Sequence, residues 1–526
     1  MTGETHRSRS GGRRTFAVTG EAQDPSRVAI AVIGGGFSGT LLALHMLRRC
    51  PAARVLLIER NPQFGRGLAY GTGNDNHLLN VPAGRMSAFQ DRPGDFIDWL
   101  RQRQEDGKNG VAFDEGSFVP RRLFGAYVRH LLNSELKSGG ASRLELLRGE
   151  VVDIREGDHL ALALDRGGSV AAHLAVIAIG NFPPEAPAVA DPWIYERDCY
   201  KGDPWASDTL ADLDPATPIL LIGTGLTMVD TAMALIDRGH GGPIHALSRR
   251  GLLPRHHVRQ GAAPLLSSFA LPPTVSGVMR LVRAEIRRGR DQGGSWQAVI
   301  DALRPLTQEL WLSLPPAERA RFLRHLRPWW EVHRHRMPTE IAARVRAALR
   351  MGQLKVTAGR ITAYRHGAAG IDVEYRTARH GIRRLADIGR IINCAGPACD
   401  FDHIKNPLMQ ALIHRGQARP DPHRLGLDVT LFGALKARDG AISQRLHALG
   451  PLTKGVFWEM TSVPDIRRQS ELLAAHLAQL VASRRFAALP GAEHRRNTAR
   501  HAHIWSISNG PEKSPPRPHE VGERAG

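Results

Sequence analysis

An α/β fold made of two βαβ units, each opening on a glycine-rich turn, is predicted by three observations. Val28 to Ile33 is an unbroken, mostly β-branched apolar run that stops at Gly34 and gives way to a helical pattern through Leu41, Leu42, Leu44, Met46 and Leu47. The same order of apolar strand, glycine turn and apolar helix returns from Pro218 to Ser248. After Leu271 a long helical stretch carries Trp296, Trp311, Trp329 and Trp330 as bulky anchors. Strands that are apolar throughout, rather than at every second residue, belong to parallel sheets covered on both faces, and the connection between parallel strands is right-handed. The chain therefore reads as two Rossmann-like dinucleotide-binding units with a helical insertion at about 260–350.

The first unit is justified glycine by glycine. Gly34, Gly36 and Gly39 give G-x-G-x-x-G directly after a strand and at the head of a helix. The first makes the tight turn, the second lets backbone approach a pyrophosphate, and the third lets helix and strand touch. The helix start then offers free N–H groups and partial positive charge to phosphates. Val55 to Ile58 is the next buried strand, and Glu59 ends it 20 residues beyond Gly39, placed to accept from ribose hydroxyls and to repel a 2′-phosphate.

The second unit follows the strand Ile219 to Ile222 with Gly223, Gly225 and, in place of a third glycine, Met228, which should alter the helix packing. Its second strand, Ile244 to Leu247, ends in Ser248, Arg249 and Arg250 rather than an acid. A hydroxyl and guanidinium forks suit a ribose 2′-phosphate, so NADPH is expected over NADH; the alternative is that these arginines are ordinary surface charge. Shorter strands are expected within 144–164, at His173 to Ile179, near Leu354 to Ile361 and at Ile371 to Tyr375, and a last helix from Asp465 to Ser483. Residues 27–215 are assigned to the first unit, 216–395 to the second with its insertion, and 396–488 to a return to the first. Residues 1–26 and 489–526 are read as disordered tails.

Composition narrows the partners. The chain of 526 residues has 71 Lys and Arg against 51 Asp and Glu. Between Leu271 and Arg360 there are 17 basic and 7 acidic residues, so half of the excess of 20 lies on the helical stretch. Without aromatic interleaving or a known motif this reads as a solvated face, and no nucleic-acid partner is expected. No run is long and uncharged enough to span a bilayer, and residues 1–27 lack the apolar core of a secretory signal. Cys50, Cys199, Cys394 and Cys399 show no metal or redox spacing, so a reducing cytoplasm and no metal are expected.

Gly67-Leu-Ala-Tyr70-Gly, His77 to Ser87, Asn393-Cys-Ala-Gly396-Pro397 and Leu449 to Glu459 carry a closer resemblance. The chain from about Arg27 to Ser483 resembles the FAD/NAD(P)-binding family that contains FAD-dependent urate hydroxylase and the nitrosuccinate-forming aspartate N-monooxygenases, within the wider flavin monooxygenase-like superfamily. The resemblance implies FAD in the first cradle, with Gly34, Gly36, Ser38, Gly39, Glu59 and Arg60 near its adenosine diphosphate. It implies Asn80, Met86, Ser87, Gly450 and Thr461 toward the flavin ring, and Val152, Gly180 and Gly396 among the cofactor-binding positions, with Gly223, Gly225, Ser248 and Arg249 taking NADPH. Gly180 and Gly396 each close an apolar strand, as expected where backbone passes a dinucleotide.

The activity so implied is hydride transfer from NADPH to flavin, with dioxygen then used to hydroxylate a small metabolite, anionic ones included. No catalytic side chain is assigned, because the cofactors carry the chemistry. An electron-delivering flavoprotein without oxygen insertion and a nucleotide-responsive binding protein without turnover are the alternatives; substrate and oligomeric state stay open. Two further segments have double readings. Trp329 to Arg336, and likewise His256 and His257, either hold an anion between indole walls or form a helical core with a solvated basic face. Pro464 and Asp465 start a helix aimed at the flavin or make a plain surface cap.

Overall fold

The computed structural model describes residues 27–107, 112–138, 140–258 and 272–483; both tails assigned from sequence, and the start of the insertion, lie outside the described residues. Two parallel sheets organise the chain. The first has six strands in the order 434–436, 442–448, 174–177, 28–33, 53–59 and 144–148, parallel except for the hairpin 434–436/442–448. The second has five, all parallel, in the order 354–358, 244–248, 219–222, 390–393 and 200–201. Its edge strand Tyr200–Lys201 is thus supplied by residues that precede position 216.

Continuous apolar strands arise because both faces of each sheet are covered. Ile30 and Val32 face one core with Leu42 and Met46 of helix Phe37–Arg49 and Leu473 and Leu477 of helix Val463–Ser483, while Ala31 and Ile33 face the other. In the second sheet Ile219 and Leu221 pack on Met228 and Met233 of helix Leu226–Asp237, and Leu220 and Ile222 pack on the opposite side.

The units repeat one plan. Each runs strand, turn, helix, strand, a helical excursion, strand, a three-stranded antiparallel sheet, and a strand that returns beside the first. The antiparallel sheets are Val151–Glu156, Leu160–Leu164 and Ser169–Ala172 in one unit, and Arg360–His366, Ile371–Thr377 and Gly381–Ile388 in the other. The excursion of the first unit contains helices Asp95–Glu105 and Arg121–Lys137. That of the second holds helices from Val275–Asp291 to Thr339–Arg350. The connections between the sheets meet at an antiparallel bridge of Phe182 with Ala398. Among the described residues no helix is long and apolar enough to cross a membrane.

Candidate functional site

Two glycine turns stand at corresponding points of the two sheets. Gly34 has φ +107° and Gly223 φ +108°, a region that L side chains rarely adopt. A Cβ on Gly34 would lie 2.4 Å from the Ala178 carbonyl oxygen, and one on Gly223 2.5 Å from that of Cys394. Each turn thus needs glycine twice over, for torsion and for contact with the returning strand. Helices Phe37–Arg49 and Leu226–Asp237 are both capped by glycine, Gly36 and Gly225, with no side chain on the cap. The cap of the second is open around its Cβ direction, and that of the first meets only Gly67. Uncapped helix starts with open space before them are anion sites.

Below the turns the cradles differ. Glu59 is 8% exposed; its Oε2 accepts from the Gly35 N–H at 2.7 Å and its Oε1 from the Asn61 N–H at 2.9 Å. Each oxygen keeps a lone pair for a ribose hydroxyl. At the matching position Ser248 Oγ accepts from the Gly251 N–H at 3.0 Å and sits 2.8 Å from Thr224 Oγ1, which donates to the Leu252 carbonyl at 2.6 Å. With the Thr224 proton committed, the Ser248 proton turns to Thr224, so this hydroxyl braces the loop and has no donor left for a phosphate. Arg249 and Arg250 are exposed and have no hydrogen-bond or ion-pair partner among the described residues. Met228, where the third glycine would stand, is fully buried in the core of the second unit. Gly39 cannot be so replaced, since a Cβ there would fall 1.9 Å from the Gly34 carbonyl oxygen.

The remaining expected positions fall into three groups. Around the first cradle, Ser38 is buried under Gly450, whose Cβ direction points 2.9 Å from Ser38 Oγ. Arg60 is exposed, 3.4 Å from Glu150, and Val152 is the extra residue where the strand pairing with Leu160–Leu164 shifts register. Gly180 (φ +79°) and Gly396 (φ +93°) end equivalent strands and meet nothing within 4 Å. A second group serves packing: Met86 is in the core, and the Ser87 hydroxyl donates within its own loop while its carbonyl accepts from Arg467 at 2.8 Å. Asn80 is half-buried, its carbonyl 3.1 Å from His257 Nε2, and Thr461 is exposed.

The Trp329–Arg336 segment corrects the anion-cradle reading for most of its members. Trp330 Nε1 donates to Glu459 Oε1 at 2.9 Å and Arg334 pairs with Glu459 Oε2 at 2.9 Å, both ions only 7% exposed in their side chains. Arg336 pairs with Asp301 through Nη2 alone, and its buried Nε and Nη1 have no partner among the described residues. Trp329 is 43% exposed and anchors nothing. Burial pushes His335 and His257 down to about 4, so both are neutral, with His257 against the Phe118 ring at 4.7 Å. Asp465 accepts from the Ser462 hydroxyl and lies 3.6 Å from Arg304, so its carboxylate ties the helix start to the insertion.

Sequence reasoning missed two supports. Gln469 Oε1 accepts from the Gly450 N–H at 2.9 Å and its Nε2 donates to Thr453 at 2.9 Å, clamping the Gly450–Thr453 turn over the first cradle. Arg121 pairs with Asp230 at 2.7 Å and His77 Nε2 lies 3.2 Å from the Asp230 carbonyl, fixing the second nucleotide helix to the first unit. A single acid inside the apolar run 226–236 was the visible signal for the latter.

Residues 31–182 match the family model described as FAD-NAD(P)-binding. The chain is similar in structure to the ornithine hydroxylase of Pseudomonas aeruginosa, with 16% identity, 86% of this chain and 99% of that chain covered, and a TM-score of 0.59. It is similar to the L-lysine 6-monooxygenase of Pseudomonas syringae, with 16% identity, 88% and 100% covered, and a TM-score of 0.58. It is also similar to the ornithine N-hydroxylase of Kutzneria sp. 744 holding reduced FAD, NADP+ and L-ornithine, with 15% identity, 86% and 99% covered, and a TM-score of 0.57. At these identities the shared property is the fold. No curated protein matches the chain by sequence.

Proposed function

Taking residues 31–182 as an FAD-NAD(P)-binding segment, we propose that the protein is an FAD-dependent monooxygenase that draws hydride from NADPH and hydroxylates a small metabolite. One observation carries this reading: two cradles of matching backbone end in opposite charge, a carboxylate at Glu59 and guanidinium groups at Arg249 and Arg250. The first suits a nucleotide with free ribose hydroxyls and the second a 2′-phosphorylated one. We assign FAD to the unit built on the six-stranded sheet and NADPH to the unit built on the five-stranded sheet, which takes its edge strand Tyr200–Lys201 from before position 216. The flavin, when bound, accepts hydride and reacts with dioxygen.

The chain's own groups bind, orient and exclude water. Backbone amides at the head of helix Phe37–Arg49 hold the FAD diphosphate, and Glu59 takes its ribose. Amides after Gly223 hold the NADPH diphosphate, while Arg249 and Arg250 fork onto the 2′-phosphate. The Gly450–Thr453 turn, clamped by Gln469, is held over the first cradle. The stacked Trp311 and Trp458, at 4.8 Å, seal the helical insertion onto the returning segment and keep solvent out. The names of the similar structures, which act on ornithine and lysine, favour nitrogen as the atom hydroxylated. Four free cysteines suit a reducing, cytoplasmic setting.

Purified protein loaded with FAD is expected to lose its yellow band when NADPH is added without air. On readmission of labelled dioxygen with a panel of small amines, label is expected in a product matched to NADPH consumed. Bleaching with hydrogen peroxide as the only oxygen product would replace monooxygenation by electron delivery. Failure to hold FAD at all would end the reading.

A further inference from the structure

The helical insertion and the loop before it line a half-open cavity of about 420 Å³. Trp296 and Ile300 give it apolar walls, Arg255, His256 and His333 make it basic, and among the described residues no acid lines it. His256 Nδ1 lies 2.9 Å from the His257 carbonyl and His333 Nδ1 2.7 Å from that of Trp329, so each ring keeps Nε2 without a protein partner. His333 stands edge to face with Trp296 at 4.9 Å, which holds both rings in place. The Arg255 guanidinium has no ion-pair or hydrogen-bond partner among the described residues.

The decisive residue is Gln297. It is 6% exposed, it lines the cavity, and its amide has no hydrogen-bond partner among the described residues. Its amide is open to the water of the cavity, so its hydrogen-bonding capacity is there for a ligand to take over. An amide offers donors and an acceptor together, so it complements a group that carries both.

We propose that this cavity binds a small amphiphilic carboxylate: an apolar body against Trp296 and Ile300, a hydrogen-bonding group such as an amide at Gln297, and the carboxylate on Arg255 and the two histidines. The volume is that of a pocket for a small organic molecule rather than a peptide or a nucleotide. The site stands on its own lining, so its test is independent of the redox reading.

Calorimetry on the full, FAD-loaded chain without nicotinamide nucleotide tests it, with N-octanoylglycine as probe and neutral N-octanoylglycinamide as its uncharged match. The acid is expected to bind one per chain and the amide about tenfold more weakly, the loss of one charge-assisted contact. Arg255→Ala, at an exposed position that leaves the fold alone, should weaken the acid by about tenfold and leave the amide unchanged. Gln297→Leu should weaken both ligands by about the same factor, because it removes the amide that meets the group they share. Equal affinity for acid and amide, no binding of either, or a Gln297→Leu protein that binds both as tightly as its parent would each overturn the assignment.

Discussion

Glu59 and Ser248 occupy matching ends of matching strands, and in the proposed function these strand ends choose the nucleotide that each cradle takes. Glu59 is held rigid by two backbone N–H groups, so its charge is presented without the entropy cost of a mobile side chain. Ser248 was expected to join Arg249 on the phosphate, but its hydroxyl is consumed by Thr224 and Gly251. Under the proposed function, selectivity for NADPH would therefore rest on guanidinium alone. Arg249→Ala is expected to cost about 1.5–3 kcal/mol in NADPH affinity and nothing for NADH, measured by titration of both nucleotides. Equal loss for the two would remove Arg249 from that role. The glycines were legible because torsion and contact both demand them at fixed spacing. The occupation of Ser248 was not, since it depends on how the chain folds back at Gly251 and Leu252.

Helix Arg327–Arg334 shows why an element resists reading from its letters. Adjacent tryptophans suggest one aromatic wall, yet neighbours on a helix diverge by about 100°. Trp330 and Arg334, four apart, share a face and converge on Glu459, whereas Trp329 points outward. The partner lies 125 positions away from Arg334, beyond the reach of any local pattern. Because the pair is desolvated, Glu459→Ala should leave Arg334 uncompensated and cost about 3–5 kcal/mol in urea unfolding. Trp329→Ala should change stability by less than about 0.5 kcal/mol. If the two variants unfold alike, the knot does not hold the insertion. The strands were read more faithfully, since burial on both faces leaves an unbroken apolar signature. The helices of the first excursion were passed over because they sit among mixed, polar sequence.

Across the whole molecule the two units copy one plan, and the sequence disclosed the copy only at its glycine turns. The paired antiparallel sheets follow no shared motif, so their equivalence emerges from topology alone. Acid sensitivity also belongs to this scale. Burial lowers His45, His257 and His335 to about 4, so the unfolded chain takes up protons before the folded one does. Their contribution is complete above about pH 6.5 and is lost as pH falls toward 4; the raised carboxyls of buried Asp421 and half-buried Asp465 act in the opposite direction. Unfolding free energy should therefore decline from pH 6.5 downward, and His257→Gln should flatten part of that slope in denaturant titrations at successive pH values. An identical slope would mean that His257 protonates alike in both states. The bridge of Phe182 with Ala398 has a mechanical consequence. Both tethers between the sheets run side by side there, so swinging one half against the other twists a single short ribbon and need not stretch two separate cords. Ground beside that pivot barely travels while the far rims sweep widest, and both the grip of Arg121 on Asp230 and that of Arg334 on Glu459 would have to part in such a swing.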